Sequence, residues 1–523
     1  MPSLTNATDR HVVIDRRDGH YLCFPDVCPT GDGTLLCAYN EFDRHVGSRR
    51  RLLLKESRDQ GRTWSERRML WALDSHCPRL SRLSDGVIIL TDDAGPTILW
   101  STDNGRTWAD QPGTGLGHGL IDRVLELDGQ TLFTTGHLHR GSQPRHKIRQ
   151  APTEQMAYVS RNLGRTWEAF SVIANEKCLV LCEASVVCLP GQSEGDDGAV
   201  RLLALMRENS FVGEPMYFCI SDDGGANWSA PAPTPFIGHR PTLGWTRSSK
   251  LLLTYRDVGP NPGTKAWLGD LDELCSGFAV HGLHAAADSA ALAPDGLLVR
   301  NEAGPQSPVR YFLRPITDPG RAHAEFEAEV LVRHADENGC GIRLGLWWRL
   351  YRDCIVPDAE GAGAFAWEPD RPHTVRITYE PGLCRLFVDG EPCGEYPVDP
   401  LDGDTRPIIV GAVSRTVDNG CEVLWRRMSL SIREPGFGRE YSWRWDHTQG
   451  LPDAFINSRV LELKNDRLAS PVDFGYSGWA ELADGEFLCA YHHGGGDEPG
   501  YVPGESAHIM GTRFFENDFG VIA

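Results

Sequence analysis

The 523-residue sequence predicts an all-β fold, a six-bladed β-propeller with an inserted β-sandwich (jelly-roll) domain. Two observations predict the propeller: an eight-residue turn pattern recurs before the midpoint of the chain, and apolar runs of strand length repeatedly follow Asp-Gly turns. A third observation predicts the insert, because this rhythm stops over residues 274–434.

The repeated pattern is typical of a hairpin turn. Each copy contains a central glycine, the residue that most easily adopts the positive φ of a tight turn, and ends in tryptophan. We expect the tryptophan to start the next strand and to pack back over the turn. The copies are 57–64 (SRDQGRTW), 101–108 (STDNGRTW), 160–167 (SRNLGRTW) and 221–228 (SDDGGANW).

This pattern, S-x-D-x-G-x-T-W, resembles the Asp-box of the sialidase (neuraminidase) superfamily. The resemblance implies a ring of six four-stranded blades and a glycoside hydrolase activity. It also implies that the boxes lie on the outer rim, where they stabilise the fold and do no chemistry.

Composition excludes several classes of function. The formal net charge of −20 argues against binding to nucleic acid or to an anionic membrane, and no stretch is long and apolar enough to span a bilayer. The 15 scattered cysteines, an odd number, indicate reduced thiols. We therefore expect a cytoplasmic location, or a secreted or periplasmic one if a signal peptide has been removed. A carbohydrate substrate is expected, with no cofactor and no metal, and the oligomeric state stays open.

The domain order follows from these signals. Residues 1–273 are predicted to form blades 1 to 4 and the first part of blade 5, residues 274–434 the insert, and residues 435–523 the rest of the propeller. The strand-like residues 11–15 are expected to close the ring by pairing near residues 507–515. Residues 441–445 are expected to resume blade 5.

The insert has strand patterns of its own. Residues 325–332 alternate as a half-exposed strand, and residues 373–379 and 384–390 predict a hairpin. This arrangement is similar to concanavalin-like and laminin-G sandwiches, which implies a module that binds glycan or frames the substrate. A structural or oligomerisation domain is the alternative, since no sugar-binding or calcium motif is present.

The resemblance to sialidases also implies a catalytic pair. Residues 475–479 (GYSGW) resemble the strand that carries the family's nucleophile, which indicates Tyr476, and a packed core aromatic is the alternative. Residues 182–187 (CEASVV) resemble the strand of the glutamate that activates the tyrosine, which indicates Glu183. A carboxylate in so apolar a strand is costly unless it is paired or used.

The same resemblance implies that further residues act with this pair. Asp43 is expected as the acid/base, with His45 and Glu41 as alternatives in the same loop. The residues expected to bind substrate are Arg207, Arg240, Arg256, Arg79, Asp26, His45 and His239.

One motif departs from the sialidase pattern. The first blade of sialidases usually opens with F/Y-R-I-P, whereas residues 22–26 read LCFPD, so that Cys23 replaces an arginine and Asp26 adds an acid. This change should disfavour a sialic-acid carboxylate on electrostatic grounds. His118, His137 and His139 are expected either as substrate contacts or as structural histidines.

Three functions remain open at this point. The leading hypothesis is an exo-glycoside hydrolase that removes a terminal sugar from a glycan. The second is a polysaccharide lyase, or a differently specific glycosidase, in which a histidine and Tyr476 act on a uronate or a neutral sugar. The third is a non-catalytic, glycan-binding propeller.

Overall fold

The computed structural model describes residues 1–92, 97–139, 153–192, 200–284, 289–302 and 308–520. Within these ranges the chain consists of β-strands and a few short helices, which confirms the all-β class. None of the helices described is long and apolar enough to cross a membrane. The α-helices are Leu271–Leu274 and Ala454–Arg459, and the 3₁₀ helices are Thr8–Arg10, Gly403–Thr405, Pro435–Phe437, His447–Gln449 and Glu516–Asp518.

Six four-stranded antiparallel sheets in the described part of the chain form the predicted six-bladed propeller. From the inner strand outward, they are blade 1, Tyr21–Pro29, Leu35–Phe42, Arg50–Ser57 and Arg68–Trp71; blade 2, Arg79–Arg82, Ile88–Asp92, Thr97–Ser101 and Ala109–Pro112; blade 3, Leu125–Glu126, Leu132–His139, Thr153–Ser160 and Glu168–Ala174; blade 4, Leu181–Gln192, Val200–Glu208, Tyr217–Ser221 and Ala232–Pro233; blade 5, Gly238–Trp245, Leu251–Asp257, Gly263–Gly269 and Val460–Asn465; and blade 6, Ser477–Glu481, Phe487–His493, His508–Phe514 and His11–Asp15.

The inner strands of adjoining blades contact one another around a common axis. Tyr21–Pro29 contacts both Arg79–Arg82 and Ser477–Glu481, and Gly238–Trp245 contacts both Leu181–Gln192 and Ser477–Glu481. In blade 6, the strand from the start of the chain pairs antiparallel with His508–Phe514, with His11 opposite Thr512. This pairing joins the two ends of the propeller and closes the ring.

Burial explains the long apolar runs in the sequence. The second strands Leu35–Phe42, Leu251–Asp257 and Phe487–His493 are buried at every position. Each of these strands lies inside a sheet whose two faces pack against neighbouring blades, so both of its faces require apolar side chains. The outer strand Ala109–Pro112 is mostly exposed and correspondingly polar.

The repeated turn pattern connects the third and fourth strands of blades 1 to 4. In the first copy, the Ser57 hydroxyl accepts a hydrogen bond of 2.8 Å from the Gly61 amide, and the Asp59 carboxylate accepts one of 2.9 Å from the Thr63 amide. The Trp64 ring packs back, as predicted, and donates to the Gly61 carbonyl at 3.2 Å. The tryptophan does not start the next strand, however, since the fourth strand begins only at Arg68.

The region between the third and fourth strands of blade 5 holds two further sheets, whose buried residues form one hydrophobic cluster. The two sheets therefore pack around a shared core. In spatial order the first contains His281–Leu283, Arg310–Leu313, Ile408–Gly411, Gly341–Leu344, Leu346–Leu350, Cys354–Pro357 and Phe365–Ala366, and the second contains Ala290–Ala293, Gly296–Asn301, Cys421–Glu434, His323–Ala335, His373–Glu380, Leu383–Val388 and Glu391–Pro397.

The prediction that residues 441–445 resume blade 5 was wrong. They belong to strand Arg439–Asp446, which pairs with Cys421–Glu434 in the second sheet of the insert. Blade 5 instead resumes with Val460–Asn465, which pairs with Gly263–Gly269. A strand of alternating polar and apolar residues can lie in any sheet with one buried and one exposed face. The pattern alone therefore did not distinguish a strand of blade 5 from a strand of the insert.

Buried polar contacts hold the insert against blades 4 and 5. Arg406 of the insert forms an ion pair of 2.9 Å with Glu214, which lies in the loop after the second strand of blade 4. The Ile237 amide, just before blade 5, donates to the His281 ring at 3.2 Å. These contacts place the insert beside the blades that supply most of the charged residues of the site.

Candidate active site

Every blade has at least one residue with positive φ near the start of its inner strand. Left-handed backbone costs a non-glycine residue on the order of 1–3 kcal/mol, and such strain often marks functional sites. In blades 1, 4 and 5 the residue lies in a β-bulge, which redirects a side chain from the regular pleat. The residues are Phe24 (56°), Cys77 (54°), Leu120 (49°), Glu183 (47°), Arg240 (49°) and Gly475 (86°).

Three buried side chains meet next to these kinks. The Tyr476 hydroxyl donates a hydrogen bond of 2.7 Å to Oε1 of Glu183. Nη1 of Arg207 donates to the Tyr476 hydroxyl at 2.6 Å and to Oε2 of Glu183 at 2.7 Å. Nη2 of the same arginine donates to the Asn209 side chain at 2.5 Å. The sequence predicted Tyr476, Glu183 and Arg207 in one site, and the fold brings them into direct contact.

The surroundings set the protonation states of this pair. Burial is the main cause that raises the pKa of Tyr476, and the Glu183 carboxylate raises it further against the opposing charge of Arg207. Burial also acts to raise the pKa of Glu183, but Arg207 and then Arg240 outweigh it, so that this pKa lies well below its usual value. At neutral pH a neutral phenol therefore donates to an ionised carboxylate.

Arg240 supplies a second positive charge in the site. Its side chain is fully buried, and within the described part of the chain none of its three guanidinium nitrogens has a hydrogen-bond partner. The nearest carboxylate oxygen, from Asp122, lies 3.8 Å from Nη2. A buried guanidinium with unused donors is suited to bind an anion.

Arg256 supplies a third positive charge. Its guanidinium carbon lies 5.1 Å from the centre of the Tyr476 ring, and Nη2 lies 2.8 Å from Nδ1 of His239. The predicted residues Arg256 and His239 thus form a pair at the edge of the site. Three arginines, Arg207, Arg240 and Arg256, therefore surround the tyrosine.

Arg79 and Asp26 make contacts within the protein. Asp26 is fully buried and accepts hydrogen bonds from Arg123, including one of 3.0 Å from Nε, and from the Leu80 amide at 2.9 Å. Arg79 donates to the Ser477 carbonyl at 3.1 Å and lies 3.7 Å from Asp26. Burial acts to raise the pKa of Asp26, but Arg123 and Arg79 outweigh it and lower this pKa. These contacts link different blades. They also neutralise Asp26, the acid that was expected to repel a substrate carboxylate.

The loop of blade 1 that contains the predicted acid/base lies at the surface. The Asp43 side chain is exposed and accepts a hydrogen bond of 3.2 Å from the Arg49 amide. The alternative Glu41 is buried in ion pairs with Arg17 (2.6 Å) and Arg51 (2.9 Å). The ring of His45 packs edge-on against Tyr21, with 5.5 Å between centroids. None of the contacts just described is with Tyr476, Glu183 or Arg207.

Blades 1 and 6 also contribute aromatic residues that the sequence analysis missed. The Phe24 ring lies 4.9 Å from the Tyr476 ring, and the His492 ring lies 5.7 Å from it. Cys23 is buried in the same apolar cluster. Phe24 could have been noticed, because it directly follows Cys23 in the motif that differs from the sialidase pattern. Nothing in the sequence pointed to His492.

The three histidines of blade 3 make different contacts. His137 accepts a hydrogen bond of 3.4 Å from the Glu183 amide and so supports the strained backbone there. His118 bonds to the Tyr158 hydroxyl and to Glu154, and the His139 ring packs on His137 at 5.5 Å. Among the residues described, no group of three or more His, Cys, Asp or Glu side chains is arranged to hold a metal ion.

Comparisons with known proteins give structural neighbours only. No protein-family model matches the chain, and no curated protein does. A protein of unknown function from Dyadobacter fermentans is 14% identical, with a TM-score of 0.47, over 96% of this chain and 97% of its own. Trypanosoma rangeli sialidase in complex with sialic acid is 14% identical, with a TM-score of 0.34, over 80% of this chain and 83% of its own. A fructofuranosidase from Schwanniomyces occidentalis is 12% identical, with a TM-score of 0.33, over 81% of this chain and 97% of its own.

Proposed function

We propose that this protein is an exo-acting glycoside hydrolase that removes a terminal acidic sugar from a glycan, with Tyr476 as nucleophile and Glu183 as its base. The observation that supports the proposal is the position of the Tyr476 hydroxyl, 2.7 Å from the Glu183 carboxylate and 2.6 Å from the Arg207 guanidinium. A phenol that already donates to an ionised carboxylate can lose its proton as it attacks.

The reaction proceeds in two displacements. The Tyr476 oxygen attacks the anomeric carbon, its proton moves to Glu183, and the glycosidic C–O bond breaks, so that a tyrosyl glycoside forms. Asp43 gives its proton to the leaving oxygen in this first step. Water then attacks the same carbon and passes a proton to the Asp43 carboxylate, Glu183 returns the other proton to the departing tyrosine oxygen, and the sugar leaves with its anomeric configuration retained. Arg207 stabilises the negative charge that develops on the tyrosine oxygen in both steps.

The arginines favour a substrate with a carboxylate near the anomeric carbon. Arg240 has hydrogen-bond donors that no described residue accepts from, and Arg256 lies against the ring of the nucleophile. Charge-assisted bonds from guanidinium groups are the strongest contacts that a protein offers to a carboxylate. A neutral phenol suits such a substrate better than an ionised nucleophile, because it does not repel the carboxylate. Cys23 takes the place of one arginine of the sialidase pattern, but the three arginines around Tyr476 still supply positive charge for a substrate carboxylate.

Asp43 is the proposed acid that protonates the leaving group. Its loop follows Phe42, which belongs to the apolar cluster around Tyr476, so the loop starts at the wall of the site. The hydrogen bond from the Arg49 amide is the main cause that lowers the pKa of Asp43. Acid catalysis therefore requires that substrate binding replaces this hydrogen bond and raises the pKa.

Turnover of a panel of aryl glycosides tests the proposal. We expect release of the aryl alcohol from an aryl sialoside or an aryl uronide, and little or none from the neutral glucoside and galactoside. A fluorinated acidic glycosyl fluoride should leave a covalent adduct on the peptide that contains Tyr476, detectable by mass spectrometry. Labelling of a different residue would refute the role of the tyrosine.

The same assay separates the two alternative functions. A polysaccharide lyase, tested on a polyuronate in place of the aryl glycosides, would eliminate the sugar attached at O4 and release an unsaturated product that absorbs in the ultraviolet. His492, whose ring lies 5.7 Å from that of Tyr476, is the neighbouring histidine for such a reaction. A glycan-binding propeller would bind acidic sugars without releasing product. Either result would replace the hydrolase proposal.

A further inference from the structure

A cavity of about 350 Å³ lies between the propeller and the insert. Its propeller side includes Phe211 and His239 from blades 4 and 5, and its insert side includes Arg310, Phe312 and Arg343. The volume is within the range of small-molecule sites. The cavity is separate from the space around the Tyr476 hydroxyl, since that residue does not line it.

The cavity and the candidate active site share a wall. The Phe211 ring packs edge-on against the His239 ring, with 4.5 Å between centroids, and lies 5.9 Å from the Arg207 guanidinium carbon. The other face of this wall holds Arg256, which contacts His239 at 2.8 Å. A group bound in the cavity would therefore lie one side chain away from the arginines around Tyr476.

The carboxylates that line the cavity are already engaged by the protein. Two of them form ion pairs with arginines other than Arg310, and the third accepts a hydrogen bond from a serine. The contacts are those of Glu208 with the Ser210 hydroxyl (2.6 Å), Glu214 with Arg406 (2.9 Å), and Asp404 with Arg343 (3.0 Å).

Arg310 is the charged group of the cavity that lacks such a contact. Its side chain is 9% exposed, and among the described residues it has neither a hydrogen bond nor an ion pair. The rings of Phe312 and Trp347 lie 5.7 Å from its guanidinium carbon. Burial, and then the charges of Arg415 and Arg343, lower the pKa of Arg310 to about 10, so the group is still charged at neutral pH. A buried charge of this kind is costly unless a counter-ion binds to it.

We propose that this cavity is a second saccharide site, in which Arg310 binds the carboxylate or sulfate of an acidic sugar and the rings of Phe211 and Phe312 contact the sugar face. A carboxylate or sulfate supplies the hydrogen-bond acceptors that the guanidinium lacks. Aromatic rings supply the apolar surface that the C–H face of a sugar covers. The site deepens the proposed function, because it places an additional acidic residue of a glycan beside the catalytic centre, but it requires no turnover.

Thermal stabilisation by glucuronate tests the site. The measurement uses the full chain with Arg240→Gln, so that the candidate active site contributes little to binding. We expect the melting temperature to rise with millimolar glucuronate but not with glucose, and inorganic sulfate to compete. Adding Arg310→Gln should raise the half-saturating concentration at least about tenfold, the usual scale for losing a charge-assisted hydrogen bond.

The matched control is Arg300→Gln in the same background. Arg300 lies in the other sheet of the insert, is paired with Glu422 at 3.1 Å, and does not line the cavity, so glucuronate should stabilise this variant as before. Equal stabilisation of the Arg310→Gln and Arg300→Gln variants would overturn the proposal, as would equal stabilisation by glucose. If Arg310→Gln does not fold, Arg310→Lys, which keeps the charge, must retain weakened glucuronate binding. A failure to hydrolyse any glycoside would refute the hydrolase but leave this binding result intact.

Discussion

The Tyr476 hydroxyl donates a hydrogen bond of 2.7 Å to Glu183, although the two residues are 293 positions apart in the chain. Glu183 is held in left-handed backbone with φ of 47°, and Tyr476 follows Gly475, which has φ of 86°. The ring of blades brings the two strands together, and the local kinks place the side chains. Left-handed backbone lowers the stability of the fold, and such strained residues cluster at functional sites.

The first prediction concerns the nucleophile. Tyr476→Phe removes the attacking oxygen and should reduce kcat on acidic aryl glycosides by at least about a thousandfold, the scale on which loss of a nucleophile acts. The fold should survive, because the ring stays and only two hydrogen bonds are lost, each worth about 1.5–3 kcal/mol with a charged partner. Steady-state kinetics and a thermal melt measure the two effects.

The control for this variant is Tyr491→Phe. Tyr491 is also buried in blade 6 and loses one hydroxyl contact, with Thr512 at 2.7 Å. Its activity should remain close to that of the wild type. Equal activity of the two variants would remove Tyr476 from the mechanism.

The second prediction concerns the ionisation of Glu183. Because the folded state lowers the pKa of this residue, through Arg207 and Arg240 against burial, its stabilising effect is fully present above the unfolded pKa of about 4.3. The effect is lost as the pH falls below that value toward the folded pKa. The difference in unfolding free energy between the wild type and Glu183→Gln should therefore be constant from pH 7 to 5 and shrink from pH 4.5 to 3.

Urea denaturation at each pH measures this difference. Glu329→Gln, a change at a partly exposed glutamate paired with Arg426 at 3.1 Å, is the control and should give only a small difference at pH 7. A difference for Glu183→Gln that stays constant down to pH 3 would contradict the proposed ion pair.

The propeller was predictable because its signals are local and repeated. The turn of residues 57–64 and the apolar run Leu35–Phe42 each report on a few neighbouring residues, and their recurrence reveals the architecture. Strand Arg439–Asp446 was assigned to the wrong sheet because its alternation is equally compatible with both. The partner of an edge strand depends on distant residues, which a local pattern does not report.

The site was predictable only in part for a similar reason. Glu183 stood out because a carboxylate in an apolar strand needs a partner, and Arg207 supplies it at 2.7 Å. Asp26 was equally conspicuous, but its charge is neutralised by Arg123 from another blade. Whether a buried acid faces a substrate or an internal arginine is decided by tertiary packing.

The third prediction concerns the acid. Asp43→Asn should reduce turnover of glycosides with poor leaving groups, such as a disaccharide, by about a hundredfold or more, the usual scale of general acid catalysis. Aryl glycosides with very acidic aglycones need no proton and should be affected much less. Asp74→Asn, an exposed aspartate in the loop before blade 2, is the control and should affect neither substrate class. An equal loss on both substrate classes in Asp43→Asn would contradict the role of Asp43.

The fourth prediction concerns His492. Burial is the main cause that lowers its pKa to about 3, compared with about 6.5 in the unfolded chain. Between these values the unfolded state binds a proton that the folded state does not, so stability is lost as the pH falls from 6.5. The slope from this residue approaches about 1.4 kcal/mol per pH unit. Between pH 6 and 4, His492→Gln should lose less stability than the wild type.

The fifth prediction concerns Gly475. A substitution there tests whether the position of Arg256 affects substrate binding separately from the effect of backbone strain. Its φ is 86°, and a Cβ atom there would lie 2.6 Å from Cβ and Cγ of Arg256. Gly475→Ala should therefore displace Arg256 and raise KM for acidic glycosides more than it changes kcat on a saturating substrate.

Gly485→Ala is a closely matched control in the same blade. Gly485 has a φ of 84°, and its added Cβ would meet nothing within 4 Å. Both variants should lose about 1 kcal/mol of stability from backbone strain, with a further loss for Gly475→Ala from the contact with Arg256. Because the strain is shared, a difference between their KM values reports the displacement of groups next to Gly475, of which Arg256 is the one that the added Cβ meets. Equal KM values in the two variants would show that Arg256 does not bind the substrate.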